Sequence, residues 1–214
     1  MGARARERGR YAPRVSALPV LHVITDDDIL QSPDFLARAT AVMAAIGVRG
    51  ALHIRGHHTS ARLLYDIAVS LAPHAARAGA LLVVNDRVDV ALITGAGGVQ
   101  VGERSFRVSD VRRIAPGLLV GESVHHPAVT RADWVIAGHV FETPTHASKP
   151  AKGPDLVRMI AERAGAPVIA IGGVKVSDVE PLQRAGAYGV AIIRGVWHAA
   201  DSARAARDYL YFFA

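Results

Sequence analysis

Six groups able to move protons or bind oxygen-rich ligands fall within eleven residues: His139, Glu142, Thr143, Thr145, His146 and Lys149. They follow directly on an apolar run that begins at Trp134. An imidazole with its ordinary pKa near 6.5 can take and return a proton at neutral pH. His139 ends a stretch whose other members are apolar, which makes it the first candidate for acid–base work. His125 and His126 offer the same chemistry from the preceding segment. The plainer readings are a packed, hydrogen-bonded histidine and a surface loop that happens to be polar.

Two further sets suit anions. Ile171-Gly172-Gly173 and Ile193-Arg194-Gly195 place glycines where backbone N–H groups stay sterically open, as phosphate sites require. Tight turning alone would also call for glycine there. Asn85 and Asp86 could hold a ligand or a magnesium ion, which wants carboxylates and phosphate oxygens around it. Asp86 could equally cap the helix that follows. A metal site needs a second carboxylate, and Glu103, followed by Arg104 and Ser105, makes a poor cage, so no metal ligand is assigned. His53 and His57 flank Arg55 at alternate positions and would point the same way on an extended chain. A polar strand end facing solvent would give the same pattern.

The elements that must position these groups follow from periodicity. Apolar runs at residues 20–25, 51–55, 81–85, 98–102, 118–124, 134–140, 168–172 and 189–194 read as strands. Between them, residues 34–46, 60–78, 89–94, 109–115, 155–164 and 199–209 read as helices, with a weak short one near 127–132. Ser177 is the expected N-cap of another helix ending near Ala185. Eight strand–helix repeats at about 25-residue spacing, with strands apolar on both faces, predict a single (β/α)8 TIM barrel. An open Rossmann sheet is second, lacking a G-x-G-x-x-G after an early strand. In a barrel the chemistry sits at the carboxyl ends of the strands. Those ends are Asp26, Arg55, Asn85–Asp86, Glu103, His125, His139, Gly172–Gly173 and Arg194–Gly195.

Composition sets the outer limits. With 214 residues, half of them hydrophobic, one large core is expected over residues 18–214. The chain has no cysteine, which excludes disulfides and thiolate chemistry and allows a reducing, cytoplasmic setting. No apolar run approaches the roughly 18 residues of a membrane span. Arg4, Arg6, Arg8, Arg10 and Arg14 against Glu7 put most of the formal +6 into the first residues. Residues 1–17 are therefore expected to be a basic, disordered, solvated arm. Without a basic stripe on the domain, neither nucleic acid nor membrane is expected as a partner.

Six motifs in order carry a resemblance. They are Val-Ile-Thr-Asp (23–26), Asn-Asp-Arg-Val-Asp-Val-Ala (85–91), Gly-Val-Gln-Val-Gly (98–102), Gly-Glu-Ser-Val-His (121–125), Gly-His-Val-Phe-Glu-Thr (138–143) and Ala-Ile-Gly-Gly-Val (170–174). Together, from about Leu18 onward, the chain resembles the thiamine-phosphate synthase superfamily of barrels. The synthase branch joins a pyrimidine pyrophosphate to a thiazole phosphate with magnesium. Its patterns are Gln-x-Arg-x-Lys, Asn-Asp, Gly-Gln-x-Asp and Phe-x-Thr-x-Thr-Lys. Here the first lysine falls on His57, the second metal carboxylate on Ser105 and the last lysine on His146, while Thr143 and Thr145 are kept.

The other branch, the thiazole tautomerases, is similar in fold and carries His-Ile-Arg, Arg-Ser-Phe, Ser-Val-His and Gly-His-Val-Phe-Glu-Thr, all present here. The resemblance implies an isomerase of thiamine biosynthesis that makes a carboxylated exocyclic thiazole phosphate aromatic. His139 would shuttle the proton, and no cofactor would be needed. Gly172, Gly173 and Gly195 would bind phosphate, and Arg55 the substrate carboxylate. Asn85, His125, Thr143, Thr145 and Arg194 would line the site, and a homodimer is implied. Two alternatives stand beside this expectation. One is the magnesium-dependent synthase, and the other is a catalytically silent barrel that binds a phosphorylated metabolite and acts on a partner.

Overall fold

A parallel strand covered on both faces needs apolar residues at nearly every position. In the computed structural model, which describes residues 18–143 and 151–213, eight such runs form strands. They are β1 (Leu21–Ile24), β2 (Gly50–Ile54), β3 (Leu81–Asn85), β4 (Gly98–Val101), β5 (Leu119–Val124), β6 (Trp134–Ala137), β7 (Val168–Ile171) and β8 (Gly189–Ile192). Each pairs in parallel with its neighbours, and β8 closes onto β1 through Leu21↔Val190, His22↔Ala191 and Val23↔Ile192. The expected TIM barrel is the fold. Outside it run α1 (Asp27–Leu30), α2 (Phe35–Ile46), α3 (Ala61–Ala78), α4 (Val88–Thr94), α5 (Val108–Ile114), α6 (Gly153–Ala161), α7 (Val179–Arg184), α8 (Arg194–Trp197) and α9 (Ser202–Leu210). The arginine-rich arm expected over residues 1–17 lies outside the described residues.

Two apolar cores result. The larger lies between strands and helices, where Phe35, Val42, Met43, Leu71, Ile160 and Leu182 are buried against outward strand residues such as Leu21, Leu52 and Val99. The smaller fills the lumen with Ile24, Ala51, Leu81, Val83, Trp134, Ile136, Ile169 and Ala191. Trp134 occupies the lumen because its neighbours are small. A Cβ at Gly98 would meet its ring at 3.3 Å, and one at Gly121 would collide with the indole nitrogen. Large residues opposite small ones are how a barrel interior packs without a pore.

Two local expectations fail for physical reasons. Residues 127–132 are not helical. There the Thr130 N–H donates to Ala164 O at 3.1 Å and the Thr130 hydroxyl accepts from Ala132 N at 3.0 Å, so the backbone is bonded across to other elements. Ser177 is no helix cap. It sits inside a 3-10 turn (Val176–Asp178) fastened by Asp178, whose carboxylate accepts from Lys175 N at 2.8 Å, and α7 begins after it.

Candidate active site

One wall of the barrel mouth is made by the ends of β1 to β3. Thr25 ties the first two: its hydroxyl donates to Arg55 O at 2.9 Å and accepts from Arg55 N at 2.8 Å. The loop after β2 is then pinned by Asp27. Its carboxylate accepts from the His57 N–H (3.0 Å), the His58 N–H (2.9 Å) and the Thr59 hydroxyl (2.6 Å). Burial raises the Asp27 pKa, but these three bonds outweigh it and hold the carboxyl below its ordinary range. The Arg55 guanidinium donates to His57 Nε2, which fixes His57 beside it. Burial lowers the Arg55 pKa, opposed by Asp86, Asp26 and Asp27. Burial also lowers that of His57, helped by the positive charges of Arg55 and Arg104 and opposed by Asp86 and Asp27. Arg55, Arg104, His57 and Asp86 thus share one electrostatic neighbourhood.

Asp86 does not cap a helix. The N-cap of α4 is Arg87, with no side-chain bond, and Asp86 itself stands at φ 62°, its N–H donating to Gln100 O at 2.9 Å. Nor do His53, Arg55 and His57 point one way. β2 ends at Ile54, so alternation stops there, and His53 is fully buried in the lumen while His57 is exposed on the loop.

The opposite wall comes from β6 to β8 and is shaped by backbone. Val140 N donates to Ile171 O and Phe141 N to Gly172 O, both at 2.9 Å, so the segment after β6 continues alongside β7. Gly172 (φ 106°) and Gly173 (φ 66°) lie in the left-handed region. A Cβ at Gly172 would meet His139 Cβ at 2.6 Å, and one at Gly173 the Glu142 carbonyl at 2.5 Å. Close approach therefore demands glycine at both. His139 is packed here with only 9% of its surface exposed. His125 is a brace: its Nδ1 donates to Gly138 O at 2.7 Å, and its own carbonyl accepts from Lys152 Nζ at 2.8 Å. Gly195 packs close to α9, where an added Cβ would run into the Tyr209 hydroxyl, and Arg194 opens α8.

Arg55, Asn85, His139, Gly172 and Gly173 thus sit at or just past strand ends on this mouth and Thr143 lies in the loop after β6, whereas Thr145, His146 and Lys149 lie outside the described residues. The hydroxyls of Thr143 and Ser105 are buried with no hydrogen-bond partner among the described residues. No group of three His, Asp or Glu among those residues could hold a metal ion by itself. Magnesium, however, binds by one or two carboxylates together with substrate phosphates. Asp86, beside Arg55 and His57, is the carboxylate that such a shared arrangement would use.

Sequence reasoning missed the barrel's polar interior. His22 Nδ1 lies 2.8 Å from His53 Nε2, and both rings pack against Trp134. Trp134 Nε1 donates to Gln100 Oε1 at 2.9 Å, and Gln100 Nε2 to Ser123 Oγ at 3.0 Å. The available signal was polarity inside otherwise apolar strands: His22 and Gln100 interrupt β1 and β4.

Comparison with known proteins bears on the branch. The family model described as thiamine monophosphate synthase matches residues 21–196. A thiamine-phosphate synthase of Salinispora arenicola is 35% identical over 204 residues, covering 92% of this chain and 98% of the relative. One from Gloeobacter violaceus is 36% identical over 166 residues, 74% of this chain and 49% of the relative, so the chain spans about half of that longer protein. The solved thiamine phosphate pyrophosphorylase of Pyrococcus furiosus superposes with a TM-score of 0.75 at 29% identity, covering 89% of this chain and 93% of that one. These relatives are synthases, and synthases are transferases, which overturns the expected thiazole tautomerase and the isomerase class. The marks that had suggested that branch are also weak in place. His53 of His-Ile-Arg is sealed in the lumen, and Phe106 of Arg-Ser-Phe is exposed. With a matching family model over most of its length, the chain belongs to the thiamine monophosphate synthase family.

Proposed function

We propose that the chain transfers a hydroxymethylpyrimidine group from its diphosphate to a thiazole phosphate, giving thiamine phosphate and pyrophosphate. The bond between the pyrimidine methylene carbon and the diphosphate oxygen breaks. A bond from that carbon to the thiazole nitrogen forms, and the leaving electron pair stays on pyrophosphate. Negative charge develops on the leaving group, so fixed positive charge must face it.

The observation that carries this reading is the cation cluster at the ends of β2 and β4. Arg55 and Arg104 both act on His57, with Asp86 beside them. Arg55 offers the directional fork that suits phosphate oxygens. Burial, helped by the charges of Arg55 and Arg104, lowers the His57 pKa, so His57 does not replace the charge of the family's lysine. Arg104 supplies that charge. A magnesium ion held by Asp86 and the pyrophosphate oxygens would neutralise part of the leaving group's charge. Gly172, Gly173 and Gly195 are assigned to the thiazole phosphate through backbone N–H groups, with Asn85, His125, Thr143, Thr145 and Arg194 around the ligands. In this reading His139 is a packing wall. The partners are small molecules, with neither nucleic acid nor membrane among them. No described helix is long and apolar enough to cross a membrane.

The test is direct. Incubation with both substrates and magnesium should release pyrophosphate and thiamine phosphate in equal amounts, and a chelator should stop it. Binding of both ligands without either product would overturn the reading in favour of a silent binding barrel.

A further inference from the structure

A polar chain climbs the inside of the barrel and ends on a mouth residue. His22 Nε2 lies 3.2 Å from Pro19 O, His22 Nδ1 2.8 Å from His53 Nε2, and His53 Nδ1 3.2 Å from the Asn85 amide atom placed as Oδ1. Both rings are 0% exposed. A carbonyl only accepts, so the His22 proton belongs on Nε2. A neutral imidazole has one such proton, which leaves His22 Nδ1 a bare acceptor. The proton in the next link must then come from His53 Nε2, and His53 Nδ1 is bare in turn. Only a donor satisfies it. An amide exchanges its oxygen and NH2 by a half-turn about Cβ–Cγ, so Asn85 meets His53 with its NH2 and directs its carbonyl to the mouth.

A third proton would permit the opposite orientation, but it would put a cation into a closed lumen against Trp134. Burial holds His22 at about 4 and His53 well below its ordinary value, and the nearby Arg55 has the same sign and lowers His53 further. The pair is neutral at pH 7.

The second chain has no ambiguity at its start. The indole N–H of Trp134 can only donate, so Gln100 presents Oε1 to it and Nε2 to Ser123 Oγ. Ser123 accepts from within through one lone pair, which leaves its O–H and a second lone pair for other partners.

We propose that the first of these buried chains fixes the hydrogen-bonding sense of the mouth at Asn85. His22 and His53 hold Asn85 as an acceptor toward the ligand, whereas Trp134 and Gln100 occupy one lone pair of Ser123 and leave its O–H and second lone pair open. The ligand group at Asn85 is then an N–H, an O–H or a cation. His22 and His53 are positioning residues. The assignment holds for any ligand of this mouth and does not rest on the synthase reading.

Long-range 1H–15N spectra of the full chain labelled at histidine test it, because ring nitrogens report their tautomer directly. His22→Leu and His53→Leu assign the two rings. At pH 7 both should be neutral with the proton on Nε2. A proton on Nδ1 of either ring, a doubly protonated ring or an averaged tautomer would overturn the proposal. In His22→Leu the acceptor for His53 Nε2–H is gone, so the His53 proton should move to Nδ1 and Asn85 should turn. An unchanged Nε2–H signal from His53 in that variant would show that His22 does not set the sense. If His22→Leu does not fold, the wild-type spectrum still decides.

Discussion

The two walls of the barrel mouth are built by opposite means. On the β1–β3 side, charged side chains set the geometry: Asp27 holds the loop after β2, and Arg55, His57 and Asp86 act on one another. On the β6–β8 side, backbone meets backbone, with Phe141 N donating to Gly172 O and no room for a Cβ at Gly172 or Gly173. Function and stability can be separated on one side and not on the other. A charge at the rim can be removed without disturbing packing, whereas a wall set by steric exclusion cannot be altered without straining the fold.

Arg55→Ala should show the largest effect and the cleanest separation. With the guanidinium gone, the rate constant kcat/KM for pyrophosphate release should fall about 10²–10³-fold, as for loss of a preorganised charge-stabilising donor. The thermal midpoint should move little. Unchanged kcat/KM, or a loss of activity matched by unfolding, would break the contrast between the walls.

The floor beneath the charged wall gives the next effect, and it depends on pH. His22 has a folded pKa of about 4, below the value near 6.5 expected in the unfolded chain. The unfolded state therefore takes up the proton first. Stability is full above that unfolded value, declines as pH falls through 6.5, and has lost its whole His22 share near pH 4. That share is on the order of 3 kcal/mol. Urea titrations at pH 7, 5 and 4 should show a steeper acid loss for the wild type than for His22→Gln. Parallel losses in the two proteins would remove the buried imidazole from the account.

Gly172→Ala probes the other wall. Its φ of 106° and the approach to His139 and Val140 make any side chain strained. A cost of about 2 kcal/mol is expected, read as a lower urea midpoint with unchanged slope. Activity should fall only as far as the folded fraction or the wall's position changes. An unaffected midpoint would mean that the β6–β7 contact yields easily.

The barrel was legible because parallel strands covered on both faces leave a plain trace: apolar runs separated by amphipathic ones. The rim was legible for the same reason, since a run that turns polar marks a strand end, as at Asn85, Arg55 and His139. That trace hides which face of a strand looks inward. His53 could therefore be read as a solvent-facing partner of His57, when closure of the sheet puts it in the lumen. His22 sits inside an apolar run, and only the ring of His53 beside it gives it meaning. The branch is not legible because His-Ile-Arg and Arg-Ser-Phe are residue types without places, and place decides whether a histidine can meet a ligand.

The smallest effect sharpens the charged wall itself. Asp27→Asn keeps the shape of the side chain but replaces one acceptor oxygen by an NH2. Two backbone N–H groups and the Thr59 hydroxyl converge on that carboxylate, so at least one of the three must lose its acceptor or turn away. The site is partly open to water, which can take over, and the cost should be about 1 kcal/mol. Because the folded pKa of Asp27 is depressed, this contribution is present above the ordinary carboxylate range and disappears as pH falls through the folded value. At neutral pH the sensitive readout is amide exchange. The His57 and His58 N–H groups should exchange faster in Asp27→Asn, while amides in β6 to β8 stay as protected as before. Equal acceleration on both sides of the mouth would mean that the two walls move as one.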